Sequence, residues 1–287
     1  ESLVKSGVPG EAFVWHDILY DGPRHPGWPD DDILDARPVF LEKTTGGGLD
    51  RLHVLKTLRH QYHKLAATTP DMHVVLWFDA CLFDQSMLAH ILTCLWHRNA
   101  GRVELICIDS FPGIEPFHGL GQLQPGQLAS RYDDRHPVAE SQFEFAARVD
   151  RAFATQDFAE FAKISTATKA PLPWVPAAIS RWLRERPDPV TGLGHLESLA
   201  LKAIRAGNDT PGKIFASVAA GDNQPQFWGD TTLWARINAL AEHNPPLVRI
   251  EGPAIRLPQW ESNLPLQDFR IKALPHLPLH VTGDDRV

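Results

Sequence analysis

Three short apolar runs, each closing on an aspartate, stand out from a chain otherwise spaced for helices. They are Ala12 to Trp15, closing in His16-Asp17; His73 to Phe78, closing in Asp79; and Val103 to Ile108, closing in Asp109. Continuous runs rich in Val, Ile and aromatic residues suit parallel strands covered on both faces. Between them, residues 33–41, 49–65 and 83–97 repeat apolar positions every three or four residues, with Met87, Leu88, Ile91, Leu92 and Leu95 on one side of the last. Strands alternating with helices predict βαβ units, an α/β class and a Rossmann-like parallel-sheet domain over residues 1–137. Ser2 to Gly7 reads as the end of a helix with a glycine stop, and a strand is expected before it.

The rhythm then changes twice. Residues 112–137 are loop-rich, with one short helix at 125–131. Residues 140–161 read as one helix, and 174–186 as another, opened by Pro173 and ended by Pro187-Asp188-Pro189. These make a helical connector, 138–189. From 190 to 287 a module of another kind is expected. A helix over 193–206 closes at Gly207, a second is opened by Thr210-Pro211, and a third, 231–242, is capped by Asp230. Strands at 247–251 and 269–273 follow. Three helices and a β-ribbon is the order of a winged helix, so the module is read as winged-helix-like.

Composition narrows the class. With 287 residues, 43% hydrophobic and 22% charged, the chain is ordinary globular material for about two domains. Cys81, Cys94 and Cys107 lie in apolar stretches and form no paired framework, which points to a reducing, cytoplasmic setting. No apolar run nears the ~20 residues of a membrane helix, and the first residues lack the apolar centre of a signal peptide. The net charge of −7 disfavours non-specific nucleic-acid binding. From Val190 onward nine Lys and Arg face ten Asp and Glu, and Arg236 is the sole cation of the 231–242 helix. The module therefore has a DNA reader's shape without its charge, and a structural or protein-contact role is favoured.

Candidate chemistry gathers at the strand ends, where ligands of open parallel sheets bind. Asp17, Asp79 and Asp109 are expected to converge there and to hold a ribose hydroxyl, a cation or a proton; each is equally suited to a turn or a helix cap. His16 and Asp21 stand beside the first, and Arg37 could clamp an anion or pair with Asp32 or Asp35. Asp84 and Gln85 sit at the junction after Asp79, with capping the favoured role for Asp84. His60 and His63 share a helix face, but spacing fixes no third ligand, so no metal site is expected. Phosphate-loop, zinc-protease and nucleophile-elbow motifs do not occur. The ligand expected is a nucleotide or another phosphorylated small molecule, by fold analogy; cofactor and reaction stay open.

Several strings occur together in order: Val14-Trp15-His16-Asp17 with Asp21-Gly22-Pro23, Leu76-Trp77-Phe78-Asp79 with Phe83-Asp84-Gln85, Phe117-His118-Gly119-Leu120-Gly121, Leu172-Pro173-Trp174, and Gly192-Leu193 with Glu197. On these the chain resembles bacterial proteins carrying the domain of unknown function 1835, over most of its length. The resemblance implies a series of positions rather than an activity. It implies a strand and a Gly-Asp-Ser stretch upstream, and a longer tail after Lys272. It also implies Glu-His-Asp after Phe78, where this chain has Asp79, Ala80 and Cys81.

Overall fold

The computed structural model describes residues 2–222, 225–260 and 263–275. The tail expected beyond Lys272 lies outside the described residues from 276 on. The chain is a mixed α/β protein that divides into two compact units: residues up to Pro189, joined by a short stretch ending at Phe227, and residues from Val190, resuming at Trp228.

The first unit runs α1 (Ser2–Lys5), α2 (Asp31–Thr44), α3 (Arg51–Ala66), β1 (His73–Asp79), α4 (Leu82–His97), β2 (Arg102–Ile108), α5 (Pro125–Ala129), β3 (His136–Pro137), α6 (Glu140–Thr155), α7 (Phe158–Ser165) and α8 (Val175–Leu183). Strands β1 and β2 pair in parallel, from His73 opposite Arg102 to Asp79 opposite Ile108. Strand β3 pairs antiparallel to β2 through Pro137 opposite Glu104 and His136 opposite Leu105. The sheet is therefore mixed rather than wholly parallel. Between β2 and β3 the chain holds the five-residue α5 and two three-residue 3-10 helices, Leu120–Gln122 and Tyr132–Asp134. A parallel neighbour is usually reached through a full crossover helix, and here the chain instead re-enters antiparallel. Pro137, with no N–H to donate, fits the edge position.

The run Ala12 to Trp15 forms no strand; residues 8–30 contain neither helix nor strand. Its composition is that of a strand, but a strand exists only through its neighbour, and among the described residues no backbone is hydrogen-bonded to it. The Gln61 side chain substitutes at one point, accepting from His16 N at 2.8 Å and donating to His16 O at 3.3 Å. Trp15 turns into the core while Phe13 and Val14 stay exposed.

The expected 140–161 helix is also two helices. Gln156 takes a left-handed conformation (φ 49°), and Asp157 restarts the chain by accepting from Glu160 N at 3.0 Å. Helix α4 explains the core. It is buried around most of its circumference from Leu82 to Leu95 and packs on β1, α6 and α8. Leu88, Leu92 and Leu95 meet Leu105, Val149, Phe153 and Ile179 in one apolar cluster.

The second unit runs α9 (His195–Arg205), α10 (Pro211–Gly221), α11 (Asp230–Glu242), β4 (Val248–Glu251) and β5 (Arg270–Ala273). Thr210 caps α10 through Lys213 N. Gly229, rather than Asp230, holds the cap position of α11; the Asp230 carboxylate accepts from Thr231 N instead. Strands β4 and β5 pair antiparallel, with Ile250 opposite Ile271. The inward residues Val248, Ile250 and Ile271 are buried, as are Leu196, Ile214, Leu233 and Ile237 of the helices. Among the described residues no helix is long and apolar enough to cross a membrane.

Candidate functional site

The carboxyl ends of β1 and β2 open into a cleft of about 1030 Å³. Its floor is Asp79, Ala80 and Cys81 after β1 and Asp109 and Ser110 after β2; residues 111–119 wall one side, and Pro173, Trp174 and Ala177 wall another. Asp79, Phe117-His118-Gly119 and Pro173-Trp174, far apart in the sequence, thus face one space. Asp79, Asp109 and Glu115 line it; among the described lining residues there is no Lys or Arg, and His118 is the one group able to become cationic.

The floor is built by the start of α4. Cys81 caps the helix, its Sγ accepting from Asp84 N at 3.5 Å. The Asp79 carboxylate accepts from Cys81 N at 3.0 Å and from Leu120 N at 3.3 Å. The Asp84 carboxylate reaches back to Asp79 N at 2.7 Å, so it braces the strand end rather than capping the helix. Gln85 donates to Asp79 O at 2.6 Å and to Cys107 Sγ at 3.3 Å, while its Oε1 is buried without a partner among the described residues. Burial, and then the charge of Asp79, raise the Asp84 carboxyl well above the usual carboxylate range. The same two causes lift the Cys81 thiol. Ligand atoms of Asp79, Cys81 and Asp84 lie within 4.8 Å of one another, close enough to surround a metal ion. Each is already engaged in fixing the strand-to-helix turn.

Gly119 closes the floor. A Cβ there would stand 2.2 Å from Asp79 Oδ2, and its φ of +138° is reserved for glycine. The backbone of residues 119–120 therefore lies directly on the Asp79 carboxylate.

The other expected site residues are elsewhere. Asp17 is not at a strand end, because its strand does not form, and it does not join Asp79 and Asp109. It is buried and paired with Arg37, whose Nη2 lies 2.5 Å from Asp17 Oδ1. Arg37 pairs with neither Asp32 nor Asp35. It donates instead to Ile18 O (2.9 Å), Pro23 O (2.9 Å) and Asp21 O (3.3 Å), pinning the turn between Asp17 and Pro23. The Asp21 carboxylate accepts from Gly22 N. His16, His60 and His63 are exposed.

A second buried polar cluster was not anticipated. Asp150 of α6 accepts from Arg24 and from Gly27 N (2.6 Å), and lies 3.1 Å from His90 Nδ1 of α4. Tyr62 of α3 meets His90 Nε2 at 2.8 Å. All are fully or nearly fully buried. Burial, then the Arg24 and Arg37 charges, hold the His90 imidazole well below its usual value. The signal was present: Asp150 interrupts the apolar stripe Ala146, Val149, Phe153, and His90 sits inside an apolar run.

No family model, curated protein or solved structure matches the chain.

Proposed function

We propose that the first unit is a Rossmann-like binding domain of a cytoplasmic protein, and that its ligand is a nucleotide or a related phosphorylated small molecule held in the strand-end cleft. The observation that carries this reading is the cleft's position: it lies at the carboxyl ends of two parallel strands, where ligands of α/β sheets bind. Its volume suits a ligand of that size. The lining favours the sugar and base end of such a molecule. Asp79 and Asp109 can accept from ribose hydroxyls, and Trp174, Phe111 and Phe117 offer apolar surface for a ring. With no Lys or Arg in the lining, a phosphate group must point outward or enter with a divalent cation. Isothermal titration with adenosine, and with ADP in the presence and absence of Mg²⁺, tests the reading. Asp109 is exposed and, among the described residues, bonded only to Ser110, so Asp109→Asn is expected to weaken binding about tenfold, the scale of one charge-assisted hydrogen bond, without altering thermal stability. No heat with any of the three solutions would overturn it.

The second unit is read as winged-helix-like and as a surface for a protein partner. Arg236, the only cation of α11, lies 3.7 Å from Glu197, so this helix offers little to a phosphate backbone. The loop between β4 and β5 instead presents exposed Ile255 and Trp260, the residue types that anchor protein contacts. A salt-dependent gel shift with duplex DNA would contradict the protein-partner reading.

A further inference from the structure

The buried cluster around His90 is not accounted for by the cleft. It gathers residues from several elements: Arg24 from the 8–30 segment, Tyr62 from α3, His90 and Cys94 from α4, and Asp150 from α6. Arg24 Nη2 lies 3.0 Å from His90 Nδ1, and Cys94 Sγ lies 3.8 Å from Nε2. The second ion pair of this region, Asp17 with Arg37 of α2, ties down the same segment.

That segment holds itself together poorly. Among its described residues one backbone–backbone hydrogen bond is internal, Asp21 N to Ile18 O at 3.4 Å. Its other anchors run mostly to neighbouring elements: Gln61 on His16, Arg37 on Ile18, Asp21 and Pro23, Asp150 on Arg24 and Gly27, Gln156 on Tyr20 O at 3.3 Å, Trp28 Nε1 on Cys94 O at 3.2 Å and Lys64 on Glu11 at 2.8 Å; within the segment Arg24 also donates to Leu19 O. Trp15, Leu19 and Tyr20 add buried apolar surface. A stretch bound this way opens as a unit more readily than a strand or helix, because little of its own hydrogen bonding must break.

We infer that residues 8–30 form a latch over His90 that opens when the imidazole gains a proton. In the closed state two cations, Arg24 and Arg37, face two anions, Asp17 and Asp150, and a neutral His90 fits: Nδ1 meets Arg24 and Asp150, Nε2 meets Tyr62, and one ring nitrogen is left as an acceptor. A proton on that nitrogen removes the acceptor and adds a third cation to a buried cluster, with no further carboxylate among the described residues to meet it. Lifting the segment withdraws Arg24 and admits water, and the imidazole then titrates near its ordinary value of about 6.5. The closed state rejects a proton the open state accepts. The opening equilibrium therefore grows about tenfold for each pH unit below ~6.5.

Hydrogen exchange read by mass spectrometry on the full chain between pH 8 and 4.5 tests this, after correction for intrinsic exchange. Peptides covering residues 15–28 are expected to lose protection about tenfold per unit below ~6.5, while peptides over β2 keep theirs. In His90→Gln the segment's protection is expected to be independent of pH. Tyr62→Phe, which removes a hydrogen bond but not the titrating group, is expected to keep the slope, and it serves where the His90 variant does not fold. A flat profile in the unaltered protein, an unchanged slope in His90→Gln, a lost slope in Tyr62→Phe, or simultaneous loss of protection across β2 would each overturn the inference.

Discussion

Replacing Gly119 by alanine probes the floor of the cleft with a single methyl group. Two costs add. The backbone at φ +138°, ψ 179° lies in a region essentially closed to residues with a side chain, and holding one there costs about 1–3 kcal/mol. The new Cβ would also sit 2.2 Å from Asp79 Oδ2. Backbone lies on one side and strand β1 on the other, so the carboxylate must swing away and give up its bond from Leu120 N, worth about 1 kcal/mol. Gly119→Ala should therefore destabilise the first unit by about 2–4 kcal/mol, measured as a lower urea midpoint at unchanged m-value. The control is Gly121→Ala, two residues on, where nothing lies within 4 Å of the added carbon and no positive φ is required. It should change stability by less than about 0.5 kcal/mol. If the two variants proved equally mild, the close seating of residues 119–120 on Asp79 would be wrong, and with it the shape of the cleft floor.

Three further outcomes follow from the same geometry. Arg37→Met leaves the buried Asp17 carboxylate unpaired and should cost about 3–5 kcal/mol in urea unfolding. Asp84 has its carboxyl raised in the folded state, so its contribution to stability is fully present below the ordinary aspartate value of about 3.9 and is lost as pH climbs through the folded value. Asp84→Asn should remove that alkaline decline, and thermal melts of both proteins across pH 4 to 9 show it; identical pH profiles would contradict the assignment. Thr210→Ala removes the cap of α10 and should destabilise the second unit by about 1 kcal/mol in urea unfolding.

The helices were legible because each buries one face, and a repeat of three and four survives in sequence whatever the face packs against. Strands β1 and β2 were legible for a related reason: both faces are covered, and both runs stop at a polar residue. The run Ala12 to Trp15 has equal strand character and forms none, because pairing is a property of two segments and sequence displays one. Asp17 inherited that error and lies in a buried ion pair instead of the cleft. The break at Gln156 was readable, since Asp157 stands three residues before Glu160 in the pattern of a helix start. The cleft's far wall was not readable as such: Trp174 lies 95 positions after Asp79 in the sequence, and only the packing of α8 against α4 brings its segment to the strand ends. The cluster of Arg24, Tyr62, His90 and Asp150 is likewise assembled by tertiary contact, although the polar residues His90 and Asp150 inside two apolar stretches marked half of it.

The most direct test of the central claim is an amide and indole NMR titration of the whole chain with ADP and Mg²⁺, read residue by residue. The account predicts saturable shifts at Cys81, Ser110, Leu120 and the Trp174 indole, with α9 to α11 unmoved. No shift at any of these positions, or shifts confined to the second unit, would contradict it.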